Sequence, residues 1–107
     1  MKFPYVVVMI TIPTIEGAKA IADMLIRKEL AACVNITSPV NSMFRWEGEL
    51  CYEEEIFMMC KTRAEVFDDK FIEAVRELHP YEVPEIIALP IIAGDESYLK
   101  WINDSTL

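Results

Sequence analysis

The apolar residues of this chain change their spacing from one stretch to the next, and each spacing predicts an element. Residues 4–12, "PYVVVMITI", are rich in β-branched side chains and predict a strand. Beyond Pro13, Ala18, Ile21, Ala22, Leu25 and Ile26 recur at helical spacing, with Thr14 placed to cap the helix and Glu16 in its first turn. "AACVNIT" returns to a strand pattern, and Pro39 marks a turn. "SMFRWEGELCYEEEIFMMCKTR" predicts a long hairpin with Glu47-Gly48-Glu49 at its tip. Within "AEVFDDKFIEAVREL", Phe67, Phe71, Val75 and Leu78 share one helical face, and Pro80 ends that helix. "EIIALPII" predicts another strand, and after Gly94 "DESYLKWIN" predicts a short C-terminal helix.

The order is β-α-β-β-α-β, an α+β, ferredoxin-like pattern filling one domain over residues 1–107. Right-handed crossovers place both helices on one face of an antiparallel sheet. The other face of such a sheet ordinarily alternates to polar residues. Here it does not. Val6, Val8, Ile10 and Ile12 point one way in the first strand, while Tyr5, Val7, Met9 and Thr11 point the other. Ile56, Met58 and Cys60 oppose Phe57 and Met59, and Ile87, Leu89 and Ile91 oppose Ile86, Ala88 and Ile92. An apolar second face calls for a cover, and a second copy of the chain is the simplest one. The pattern therefore predicts a homo-oligomer.

Charge narrows the partners. Eighteen acidic residues against ten basic ones give a net charge of −8, which repels nucleic-acid phosphates. The first apolar run is too short to span a membrane and reads as strand rather than as a secretory signal. Three cysteines, Cys33, Cys51 and Cys60, have no CxxC spacing, so a disulfide framework or structural zinc site is not expected and a reducing cytoplasm is. No GxSxG, P-loop or GxGxxG is present, and three glycines hardly build a phosphate cradle. The expectation is a protein that is not an enzyme and requires no cofactor.

The candidate chemistry centres on "ELHPYEVPEIIALPI", which holds the single histidine. His79 can serve as a metal ligand or general base, or simply satisfy a helix C-terminus. His79 and Val83 each precede a proline, so "HPYEVPE" is a stiff extended link. Other donors are the three cysteines, Glu82, Glu85 and the run Glu53-Glu54-Glu55. None has a metal-ligand spacing, so a site draws on distant segments or on several subunits. A catalytic reading would pair Cys33 or Glu85 with His79, without local support. Trp46, Tyr98 and Trp101 suit a ligand pocket or a subunit contact.

Together "KELAACVNI", "SMFRWEGEL", "KTR", "LHPYEVPEIIALPI" and "SYLKWIN", in this order, closely resemble the CutA divalent-cation-tolerance family. The resemblance implies a ferredoxin-like subunit in a PII-like homotrimer, in the cytoplasm, with a role in tolerance of divalent metals including copper. It implies no catalytic activity and no required cofactor; the partners it implies are other copies of the chain and divalent metal ions such as copper or zinc. His79 matches the family histidine and becomes the leading metal-ligand candidate, with Glu85 and Cys33 as further ligands. Trp46, Lys61, Tyr81 and Glu82 fall at positions expected to line an inter-subunit cleft. The chain departs from the pattern at Ile10 and Leu78, where some relatives carry a cysteine and a second histidine. Two ligands of a Cys-His-His copper site are therefore absent. A PII-like adaptor that docks a partner through the hairpin is the alternative.

Overall fold

A computed structural model describes residues 2–107 of the chain. The first strand, β1 (Tyr5–Ile12), leads through Pro13 into α1 (Ile15–Arg27). Thr14 caps that helix, its Oγ1 accepting from the Gly17 N–H at 3.1 Å. The helix ends without the usual glycine. Glu29 takes the left-handed conformation with φ of 57°, while Leu30 N–H donates to the Leu25 carbonyl and Glu29 N–H to that of Ile26. These two bonds form a Schellman stop, in which a side chain stands where only glycine is unstrained.

After β2 (Cys33–Ile36), β3 (Val40–Trp46) and β4 (Glu49–Arg63) form the hairpin. Its tip is tighter than the three-residue reading. Trp46 pairs directly with Glu49, and Glu47 and Gly48 both have positive φ, 50° and 81°, the signature of a two-residue type I′ turn. The second helix, α2 (Asp69–Leu78), starts later than its apolar pattern suggested. Asp68 caps it by accepting from the N–H groups of Lys70 and Phe71, so Phe67 precedes the helix and meets Phe71 edge-on, with ring centroids 5.2 Å apart. Pro80 forces His79 into extended geometry, and the helix ends there. The chain finishes with β5 (Ile86–Pro90) and α3 (Glu96–Asp104).

The sheet runs β2-β4-β1-β5, with β3 paired to the far half of β4. Each pairing is antiparallel. The expected strands are all present, and the hairpin supplies β3 as a fifth. Val8, Ile10, Ile12, Met58 and Cys60 fill one face under Ile21, Leu25, Phe71 and Val75 of α1 and α2. Ile26 and Leu78, counted on the apolar helix faces, are instead largely exposed. They sit at the margins of stripes centred on Ile21 and Val75.

The opposite face carries Val7, Met9, Phe57 and Met59, half-buried, and Ile87 and Leu89, exposed by 48% and 47%. Only one end of this face has a cover. There α3 lies against β4, with Ile102 buried and Arg63 Nε donating to Thr106 Oγ1 at 3.1 Å. The hairpin beyond the sheet is a two-stranded arm that exposes Met43, Leu50 and Tyr52. It helps stretch the chain to 44 Å and raises the radius of gyration to 14.3 Å, against about 13 Å for a compact chain of this length.

The strained stop of α1 makes a direct test. Glu29→Gly relieves a left-handed side chain at a cost of some unfolded-state entropy, and the net gain is up to about 1 kcal/mol. Equilibrium denaturation of the two proteins measures it; a destabilised variant would show that the Glu29 conformation carries no strain.

Candidate functional site

The segment after α2 is held in place from several sides. Tyr81 N–H donates to His79 Nδ1 at 3.1 Å, and His79 Nε2 lies 2.7 Å from the Thr11 carbonyl. A backbone N–H can only donate and a carbonyl can only accept, so Nδ1 is bare and Nε2 carries the proton. The imidazole is 7% exposed and both of its nitrogens are in use. Ligating a metal through either one would break one of these bonds. His79 thus ties the corner to the end of β1, and Arg76 Nη2 adds a bond to the Glu82 carbonyl at 3.0 Å.

From this anchored corner the Tyr81 ring reaches toward the hairpin, and its hydroxyl donates to Glu55 Oε2 at 3.1 Å. Glu55 is only 5% exposed. Among the described residues no cation pairs with it, and its other oxygen has no hydrogen-bond partner. Burial pushes the Tyr81 phenol up to about 12, with further contributions from the Glu55 charge, from the bond to it and from Glu53.

Between the corner and the arm lies a cleft of about 810 Å³. Thr11 and Glu55 form part of its lining; Phe44, Trp46, Cys51 and Glu53 come from the arm, and Tyr81, Glu82 and Glu85 from the corner. The cross-strand pairs Phe44–Cys51 and Ser42–Glu53 belong to the same face of the ribbon as Glu55. That face continues along β4 to Phe57 and Met59, so the cleft opens onto the uncovered side of the sheet.

The residues singled out from the sequence therefore separate into two places. Trp46, Tyr81, Glu82 and Glu85 meet at the cleft, with His79 behind Tyr81. Cys33 and Lys61 are a cross-strand pair at the other end of the open face. Lys61 Nζ bonds Asn35 there, and Cys33 lies beside the Tyr98 hydroxyl of α3. Lys61 lies six residue steps along β4 from Glu55, about 20 Å of strand. Within one chain Cys33 and His79 cannot share a ligand. From the sequence Glu55 stood only as one member of a run of three donor glutamates; strand alternation, which turns residues 53 and 55 to the cleft face and 54 away, was the signal that singles it out.

Cys60 packs in the core, where burial pushes its thiol up to about 12 against the opposing pull of Lys61. Among the described residues, no three His, Cys, Asp or Glu side chains converge on a point where a metal ion would sit.

Comparison with known proteins defines the class. The family model described as "CutA1 divalent ion tolerance protein" matches residues 6–105. The chain is 46% identical over 100 residues to the divalent-cation tolerance protein CutA of Thermus thermophilus, covering 94% of this chain and 96% of that one. It is 40% identical to the chloroplastic protein CutA of Arabidopsis thaliana, covering 96% of this chain but spanning only 56% of that longer protein. Among solved structures, the T. thermophilus protein superposes with a TM-score of 0.92 at 45% identity, covering 95% of this chain and 98% of that one. A protein described as the periplasmic divalent cation tolerance protein CutA, from Archaeoglobus fulgidus, gives 0.90 at 40% identity, covering 94% and 97%. The chain belongs to the CutA1 divalent ion tolerance family.

A titration and a labelling experiment check this geometry. In the ultraviolet, Tyr81 should form its phenolate near pH 12, and Glu55→Gln should bring that midpoint down toward the ordinary 10. The folded-state value is raised, so the stability that depends on this proton is intact below pH 10 and is lost as pH climbs toward 12. An unchanged midpoint in the variant would remove Glu55 as a cause. Cys60 should resist a thiol reagent until the protein unfolds, and labelling of native protein at Cys60 would contradict its burial.

Proposed function

We propose that the protein works as a homotrimer in tolerance of divalent cations, binding ions such as copper or zinc weakly in the cleft between arm and corner, without catalysis and without a required cofactor. The observation that carries this reading is continuity. The acid-lined cleft opens onto the sheet face whose apolar residues find only partial cover within the chain. A neighbouring copy seated on that face covers Val7, Met9, Ile87 and Leu89 and at the same time roofs the cleft. The arm gives further support, since a two-stranded ribbon is only marginally stable in water until it packs against something.

Glu53, Glu55, Glu82 and Glu85 are oxygen donors suited to hard or borderline cations, and Cys51 is a softer donor beside them. One subunit does not bring three donors together, so a neighbour's donors would complete the coordination, and the affinity is correspondingly low. His79 serves by fixing Tyr81 and the flanking glutamates, and Glu85 is the ligand carried over from the family resemblance. Cys33 belongs to a different contact of the trimer, beside α3. Three unpaired thiols suit a reducing compartment such as the cytoplasm.

Sedimentation over a wide concentration range tests the assembly, with trimer expected throughout. A stable folded monomer would sink it. Calorimetric titration of Cu2+ and Zn2+ into the protein and into Glu82→Gln/Glu85→Gln tests the site. We expect saturable binding at equal sites per subunit that weakens about tenfold in the variant. Equal binding in both proteins would place the metal elsewhere.

A further inference from the structure

We propose that the same cleft accepts a linear aliphatic polyamine, an elongated organic cation whose charges are spaced by methylene groups. The proposal rests on the cleft being a binding site, and it differs from the metal reading in the shape of the charge. A metal ion is a point and needs its donors to converge, with oxygen ligands about 2.0–2.6 Å away. The carboxylates here do not converge: among the described residues no three meet, although four line the one cleft. They are distributed along it, Glu53 and Glu55 on the hairpin side and Glu82 and Glu85 on the corner side.

Phe44, Trp46 and Tyr81 line the same cleft as these carboxylates. Aromatic faces attract ammonium groups and also pack against methylene chains. No lysine, arginine or accessible histidine lines the cleft to neutralise the acids. Glu55 makes the strongest single case. It is 5% exposed and is bonded only by the neutral Tyr81 hydroxyl, while its second oxygen has no partner. No side-chain oxygen in the described residues is both fully enclosed and unbonded, so that second oxygen faces open space, which here is the cleft. A buried carboxylate with no cation is costly, and an entering ammonium would compensate it. The volume, about 810 Å³, lies in the range of small organic ligands, roughly 300–1,000 Å³.

The chain has two tryptophans, Trp46 and Trp101, so Trp101→Phe leaves the cleft residue as the only indole. Trp46 fluorescence of this trimer is then titrated with the tetraamine spermine, with butylamine as a single-charge comparison and with Zn2+. Spermine should give a saturable change and butylamine should bind at least about tenfold more weakly. Glu53→Gln/Glu82→Gln changes two exposed side chains of the cleft and should weaken spermine about tenfold. Glu54→Gln/Glu73→Gln removes the same charge away from the cleft and should leave the affinity within about twofold. Equal losses in the two variants would mean diffuse attraction to an acidic protein, and an unsaturable response would mean no site; either overturns the proposal. Zn2+ binding with no spermine response overturns the polyamine and leaves the metal reading standing. Spermine binding with no Zn2+ or Cu2+ binding supports the polyamine and overturns the metal.

Discussion

An antiparallel sheet with two helices on one side has a second side to account for, and the rest of this molecule depends on how that is done. The covered side is closed, with Val8, Ile10, Met58 and Cys60 wholly removed from water beneath α1 and α2. On the other side α3 is too short to reach past the end near Cys33 and Arg63. Ile87 and Leu89 are left about half exposed, beside the half-buried Val7, Met9, Phe57 and Met59 of the same face. Burying apolar surface is worth about 25 cal/mol per Å². A chain of this size has a modest core, so covering that face with another copy would add a comparable share of stability.

The cleft inherits its character from that open side. Its floor is the far half of β4, where alternation turns Cys51, Glu53 and Glu55 toward the same face as Phe57 and Met59. Its wall is the corner after α2, held by the imidazole between Thr11 and Tyr81. Acidic groups and apolar surface thus share one concavity, an unusual pairing that a neighbouring subunit would dry and deepen. Drying strengthens any ion pair formed there, since charges interact more strongly away from bulk water.

Much of the fold was legible in the chain because its signals were local. The helical spacing of Ala18, Ile21 and Leu25, the cap at Thr14 and the stop at Pro80 each act within a few residues, and each is found in place. The apolar doubling of β1 was equally readable and pointed correctly to a face that the chain itself leaves largely open. The site was less legible because its residues come together through register. Trp46, Lys61, Tyr81 and Glu82 were expected to line a cleft between copies of the chain; within one copy the pairing of β2 with β4 places Lys61, with Cys33, at the opposite end of the face from the others. The lone histidine was read as a ligand or as a helix-end partner, and its two hydrogen bonds add a third role, tying the corner to the end of β1. Glu55 was hidden in a run of identical neighbours.

β4 runs fifteen residues from the hairpin tip to Arg63, and its stretch "ELCYEEEIFMMCKTR" contains neither glycine nor proline. No hinge therefore interrupts it between the cleft and the contact with α3. The same strand carries the cleft on its β3-paired half, up to Glu55, and the contact with α3 on its β1- and β2-paired half, from Ile56 on. The arm and the C-terminal helix, far apart in the chain, are thereby built onto opposite ends of one strand.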